Sequence, residues 1–430
     1  MRRSNAHPTI NFIDADFGLF LDASYLHLRY AHPMKTLSLL FVLVSPSVRA
    51  EVPASSGQEF EVPEISVTGA GPEFDAPVTP AVRLSGRKLE RKKQSTLGET
   101  LSREVGVSST FFGPNSSRPV IRGLDGDRVR LLENGIGLLD ASGASPDHAV
   151  AIDPWVIESV DVLRGASALL FGSTAPGGVV NFKTRRIAEK LESGFTGRVQ
   201  SGYSSVDRGK VLGGSVDGAV GGTQKNTMVH MDGSIRSSED YAAPGVESGK
   251  VVNSANRASQ GAVGVSRILD QGHVGLSLSG YQSEYGTVAS PDVTIHMDRV
   301  RAELSSELRG FAGLDSLRLR SAYSKYEHRE IHEGEVGTIF RNRGVESRLD
   351  AKSGNTMFGL QQNTFTLRAL GEEAFLPTTT NTTFAGFGFH QWNLSRFTPS
   401  IGVRLERAGV DSEAGGAFTT AESRSFWAPS

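Results

Sequence analysis

The sequence predicts a compact mixed α/β domain followed by an antiparallel transmembrane β-barrel of which about half is present. Three observations carry this reading. The chain holds 49 Gly and only 38% hydrophobic residues, and no window offers the ~20 uninterrupted apolar residues that a spanning helix needs. Beyond Ala188 apolar and polar residues alternate with period two, as in strands facing lipid on one side and a polar lumen on the other. The connections between these segments alternate short and long, as the turns and loops on the two sides of a membrane barrel do. A soluble sandwich shares the alternation of residues but is not expected to alternate its loop lengths.

The first element is a secretory signal. Met34-Lys35 precedes the apolar run Leu37 to Val44, then Pro46 and the small-residue pattern Val48-Arg49-Ala50, the order of parts in a signal peptide. Translation is therefore expected to start at Met34, with residues 1–33 a mis-called extension, 34–50 the signal and Glu51 the mature N-terminus. The alternative for the apolar run is a buried strand of a soluble domain. Residues 51–80 are rich in Pro, Ser, Gly and Glu and bury too little to fold alone, so they read as a mobile tether. Within it Glu64-Ile65-Ser66-Val67-Thr68-Gly69 is β-prone and suited to extending the sheet edge of a partner, or is plain linker.

Residues 81–187 form the mixed α/β domain, with expected strands at Val129 to Glu133 and Val160 to Leu163 and a helical Ala166 to Leu170. Residues 188–430 supply about eleven alternating segments, such as Phe195 to Tyr203, Val274 to Gly280, Leu317 to Tyr323 and Ile401 to Leu405. Short turns are expected at Gly221 to Lys225, Asp270-Gln271 and Asn393 to Arg396. Long loops are expected near Ser238 to Ala258, Glu284 to Met297, His328 to Thr338 and Leu370 to Thr379. The formal net charge of −2 points to no nucleic-acid partner. With no Cys, any metal must be held by His, Asp, Glu or backbone oxygens.

The densest motif runs from Arg118 to Ile187. Its Arg122-Gly123, its Arg128-Val129 strand leading to Glu133-Asn134-Gly135, and the block Ile157 through Arg164-Gly165 and Leu170-Phe171-Gly172 to Gly177-Gly178-Val179-Val180-Asn181 resemble the plug domain of TonB-dependent outer-membrane receptors. The resemblance makes residues 81–187 the plug and Ile65, Ser66, Val67 and Thr68 the TonB box. Arg122, Arg164, Glu158 and Asp161 are expected to seat the plug against a polar barrel wall. The loop Gly165 to Gly178 lacks the Lys-Ser/Thr ending of a phosphate-binding loop.

Ser145-Pro146-Asp147-His148 resembles the metal-contacting plug loop of the zinc-uptake branch of that family, where Asp147 and His148 offer one hard oxygen and one imidazole. The alternative is a local turn at Asp147 with His148 only packing. Tyr326 to Glu333 and Gly371 to Phe375 resemble barrel segments of the same branch. The first barrel strand leaves the plug on the periplasmic side, so odd-numbered barrel strands should end outside. His328, Glu330 and His332 would then share one face of an extended chain at the external mouth, or form a solvated charged loop. The short segment Glu284 to Met297, with His296 alone, departs from the His-rich insertion of the zinc branch, which keeps a ferric chelate in play.

The resemblance implies uptake of a metal ion or metal chelate, zinc or a ferric complex, into the periplasm, with TonB and its inner-membrane motor complex as partners and outer-membrane lipid around the barrel. No cofactor is required, and no nucleophile and base pair marks an enzyme. Barrels that enclose such a plug have ~22 strands, so about eleven are expected to belong to a truncated product, or to half of a receptor whose remainder is encoded downstream, unable to transport alone. The rival expectation is a periplasmic metal-binding or TonB-binding plug module without a pore, should the barrel part fail to insert.

Overall fold

The computed structural model describes residues 80–172, 175–221, 226–371, 374, 376–394, 397–414 and 420–429. The expected N-terminal extension, the signal peptide, the TonB box at Ile65 to Thr68 and all of the tether but Pro80 lie outside them, as do Glu372, Glu373 and Phe375.

Seven short strands, β1 (Val82–Ser85), β2 (Val107–Ser109), β3 (Pro119–Ile121), β4 (Val129–Glu133), β5 (Ile136–Gly137), β6 (Ser159–Leu163) and β7 (Gly178–Lys183), with helices α1 (Gly86–Glu90) and α2 (Leu97–Leu101), make the mixed domain. Five of them form one sheet in the order β1-β6-β7-β4-β5, in which only β4 and β7 run parallel. Every residue of β6 is buried, the Asp161 carboxylate among them paired with Arg83 of β1 at 2.7 Å. Leu84, Leu89, Leu97, Leu101, Val160, Val162, Val180 and Phe182 share the core beneath it. The Thr96 hydroxyl caps α2 by accepting from the Glu99 amide at 3.3 Å, which satisfies one of the free donors of the first turn. The expected helix at Ala166 to Leu170 is instead a 3-10 segment, Gly165–Leu170. At Gly178 (φ +134°) a Cβ would stand 2.5 Å from the Leu163 carbonyl oxygen, so only glycine lets β7 start beside β6.

Twelve strands follow, one more than the alternation suggests: β8 (Phe195–Ser204), β9 (Gly209–Val220), β10 (Thr227–Ser238), β11 (Asn256–Leu269), β12 (Gly272–Thr287), β13 (Ser290–Arg309), β14 (Ser316–His332), β15 (Glu335–Ser353), β16 (Thr356–Gly371), β17 (Thr379–Gln391), β18 (Ser400–Ser412) and β19 (Glu422–Pro429). They pair in sequence order as one antiparallel sheet with β8 and β19 at its edges, and among the described residues the sheet does not close on itself. The extra strand is β19, which pairs with β18 from Leu405↔Pro429 to Ser412↔Glu422. Inward positions are buried against the plug and outward ones are exposed and largely apolar, including Leu276, Leu278, Val300, Leu360 and Leu405.

Two expected loops are strand. Only Val288-Ala289 separates β12 from β13, and only Glu333-Gly334 separates β14 from β15. The charged residues there continue the alternation: Ile295 and Met297 face inward with 0% and 1% exposure, while Glu284 and His296 pair across the ladder on the other face. Glu333 (φ 50°) and Gly334 (φ 89°) both take the left-handed conformation that a two-residue hairpin of matching twist demands. The connection after β10 is long, as expected, and the β11–β12 turn is Asp270-Gln271.

Candidate metal centre

The segment Asp140 to Asp153 crosses from the plug sheet to the barrel wall and is fixed from both sides. Asp140 folds it on itself by accepting from the Ser142 amide (3.2 Å), the Ser142 hydroxyl (2.8 Å) and the Ala151 amide (3.1 Å). Tyr285 of β12 accepts from the Ala149 amide at 2.9 Å and donates to the Asp147 carbonyl at 3.1 Å. His148 sits between those two anchors, so its backbone is held to the wall on either side. Its ring donates through Nδ1 to the Ala141 carbonyl (3.0 Å), which leaves Nε2 facing Glu330 Oε1 at 3.2 Å.

Alternation along β14 turns Tyr326, His328 and Glu330 inward. Tyr326 Oη and His328 Nδ1 share a hydrogen bond of 2.7 Å. His328 Nε2 lies 3.6 Å from Glu330 Oε1 and is a buried nitrogen with no hydrogen-bond partner. Phe340 of β15 closes the site, its ring 4.8 Å from that of His148 and 4.7 Å from that of His328.

One ligand atom each from His148, His328 and Glu330 lies within 4.8 Å of the others, and the residues are 1%, 0% and 9% exposed. A tetrahedral ion with ~2.0 Å bonds spaces its donors about 3.3 Å apart. The two nitrogen–oxygen separations, 3.2 and 3.6 Å, are near that edge length. Two imidazoles with their far nitrogens held by a carbonyl and a phenol, plus one carboxylate, are a donor set for a divalent first-row cation.

The other expected ligands lie further out. Asp147 Oδ1 is 4.0 Å from His148 Nε2 and accepts from the Ser145 hydroxyl, the local turn that was the alternative for this residue. His332 was expected on the same face as His328 and Glu330. It is exposed, because the ladder shifts between Glu330 and Ile331 and leaves His332 in the hairpin opposite Glu335.

Of the expected plug–barrel contacts, Glu158 faces barrel charges, Arg198 of β8, Asp217 of β9 and His230 of β10, whereas the partners recorded for Asp161 and Arg164 lie in the plug. Asp161 accepts from Arg83 at 2.7 Å, Arg164 donates to the Val105 carbonyl at 2.8 Å, Glu158 pairs with Arg185 at 3.4 Å, and Arg122 is exposed in a left-handed turn (φ 52°). The wall is also met by the hairpin Glu133-Asn134-Gly135. Glu133 is 0% exposed and pairs with Arg299 (2.6 Å) and Arg301 (3.5 Å) of β13 and with Arg186 (2.9 Å). Arg301 also donates to the Gly137 carbonyl at 2.8 Å, and Arg320 to the Asn134 carbonyl at 3.2 Å. Burial pushes the Glu133 carboxyl up, but the three guanidinium groups prevail and bring it down from 4.5 to about 2. The missed signal was Arg299, Arg301 and Glu303, three charges two residues apart on a face that must point inward.

Residues 72–179 match the TonB-dependent receptor plug domain. A hemin receptor of Yersinia pestis is 27% identical over 208 residues, 45% of this chain and 29% of that protein. A vitamin B12 transporter of Vibrio cholerae is 30% identical over 191 residues, 44% of this chain and 26% of that protein. Among solved structures, a copper transporter, OprC, superposes with a TM-score of 0.63 at 18% identity over 78% of this chain and 58% of that one. The FrpB iron transporter of Neisseria meningitidis gives 0.62 at 16% identity over 81% and 62%; at such identities the likeness establishes the fold. The chain spans less than a third of the length of these curated relatives and about three-fifths of the solved chains.

Proposed function

We propose, on the match of residues 72–179 to the TonB-dependent receptor plug domain, that the chain serves TonB-dependent uptake of a metal ion or small metal complex across a bacterial outer membrane. The observation that carries this is the meeting of His148, from the plug, with His328 and Glu330, from the wall. An ion tied to all three is held by two parts of the protein at once. Displacing the plug removes one of its ligands and weakens the site, so release needs no chemistry on the cargo.

The partner that displaces the plug is TonB with its inner-membrane motor, acting on the box at Ile65, Ser66, Val67 and Thr68. Zinc suits two imidazoles and a carboxylate, and the burial of the three ligands favours a bare cation over a bulky chelate. A sheet with bare edges is not tolerated in lipid, so transport requires strands joined to β8 and β19, whereas cation binding does not.

Calorimetric titration of the full chain, refolded in detergent, with Zn²⁺ tests the reading. One ion per chain should bind, with His148→Ala, His328→Ala and Glu330→Gln each reducing affinity at least about tenfold. Unchanged Zn²⁺ affinity in all three variants, with a ferric hydroxamate complex binding instead, would move the cargo to a chelate seated elsewhere.

A further inference from the structure

A second opening between plug and wall lies away from the metal centre. It is a cleft of ≈ 440 Å³, counted to its open mouth, between Lys93, Ser95 and Trp155 of the plug and residues of β8–β11. None of His148, His328 and Glu330 lines it. Trp155 forms its apolar side. The Asp153 carboxylate holds the turn that carries this ring, accepting from the Trp155 amide and from the Ser234 hydroxyl of β10 at 3.1 Å each. A Cβ at Gly202 of β8 would stand 3.0 Å from the indole, so the glycine lets the ring reach the wall.

Two buried donors line this cleft without a partner. Alternation along β10 places Arg236 on the inward row with Ser234, where its Nη1 donates to the Ser95 carbonyl of the plug. Its Nε is buried and makes no hydrogen bond, and among the described residues no carboxylate pairs with the guanidinium. Asn256 of β11 is 3% exposed. Its Oδ1 accepts from the Ser238 hydroxyl at 3.1 Å, and its Nδ2 has no partner. Ser238 stands opposite Asn256, and Arg236 opposite Ala258. Arg236 and Asn256 are therefore diagonal neighbours on one face, about 7–8 Å apart at the backbone, close enough for one small ligand to meet both.

The other charges of the cleft are accounted for. Lys93 is matched by Glu90 at 3.0 Å, Asp207 caps the β8–β9 turn through the Gly209 amide at 3.0 Å, and Lys210 lies opposite the exposed Tyr203 on the outer face. Among the described residues Arg236 is thus the inward cation left unmatched, with the Asn256 amide beside it. A buried donor without an acceptor is costly. A carboxylate supplies two acceptor oxygens and the single negative charge that Arg236 lacks, whereas a doubly charged phosphate would bury one charge too many.

We propose that this cleft binds a small aromatic carboxylate, its oxygens on Arg236 Nε and Asn256 Nδ2 and its ring beside Trp155. The test is calorimetric titration of the full chain, refolded in detergent, with benzoate. One benzoate should bind per chain. Neutral benzamide, and acetate, which lacks the ring, should bind at least about tenfold more weakly, and inorganic phosphate at equal concentration should not displace benzoate. Arg236→Gln should lower benzoate affinity at least about tenfold, as loss of a charge-assisted hydrogen bond requires. Asn256→Asp sets the protein's own carboxylate beside Arg236, so benzoate binding should be lost while the urea midpoint of Trp155 fluorescence holds or rises. Zn²⁺ affinity should be unchanged in both variants, because the cleft and the metal centre share no residue. Equal affinity for benzoate and benzamide, or unchanged benzoate affinity in both variants, overturns the proposal, as does a lowered midpoint in Asn256→Asp with benzoate still bound. Displacement by phosphate, or acetate binding as tightly as benzoate, overturns the aromatic carboxylate as the ligand class.

Discussion

Replacing Glu133 by Gln should loosen the plug from the wall more than any other single change of one atom. The carboxylate is fully buried among Arg186, Arg299 and Arg301, and Gln keeps its shape while leaving those cations short of one negative charge. Breaking a buried ion pair from one side costs about 3–5 kcal/mol. The carboxyl's fall from 4.5 to about 2 independently corresponds to roughly 3 kcal/mol. Trp155, in the plug and only 8% exposed, reports plug unfolding by fluorescence during a urea titration. With a slope of about 1–3 kcal/mol per molar urea, the midpoint should drop by roughly 1–5 M. Because the folded carboxyl is depressed, its stabilisation is complete above pH 4.5 and is lost as pH falls from 4.5 towards about 2. The unaltered protein should therefore lose its urea resistance across that window, and Glu133→Gln should show that part of the pH dependence no longer. A variant within about 0.5 kcal/mol of the unaltered protein, or with the same acid profile, would refute the assignment of the plug's anchorage to this cluster.

Two further outcomes follow from local geometry. Tyr326→Phe removes the hydroxyl that holds His328 Nδ1 without opening a cavity, so metal affinity should fall about 10–100-fold while the urea midpoint stays put. Gly178→Ala sets a Cβ 2.5 Å from the Leu163 carbonyl oxygen at φ +134°; the plug should lose at least about 2 kcal/mol, read as a lower midpoint of Trp155 fluorescence.

The strand pattern of the fold was legible because lipid on one side and a polar interior on the other impose period two on every strand. Strand β4 falls at the residues its sequence suggested, Val129 to Glu133. The tips of the hairpins β12–β13 and β14–β15, Glu284 to Met297 and His328 to Thr338, are strand where loops were expected. Above the membrane outward residues meet water, and Glu327 or His296 can extend a ladder as well as leucine does below. His148, His328 and Glu330 were legible as chemistry on single segments, but their meeting depends on the plug's seating. The shift that removes His332 is a backbone irregularity with no signature in residue type. Arg122, Arg164 and Asp161 are charges near one another in sequence that do not reach the wall, whereas Glu133 meets Arg299 and Arg301 across 166 or more positions.

Cobalt substitution tests most directly whether plug and wall share one cation. Co²⁺ added to the refolded chain should give the intense visible bands of a four-coordinate site with imidazole and carboxylate ligands. His148→Ala on the plug and His328→Ala on the wall should each abolish them, and the double variant should be no worse than either single one. Persistence of the bands in His148→Ala, with loss only in His328→Ala, would contradict a shared site and leave the plug without a hold on the ion.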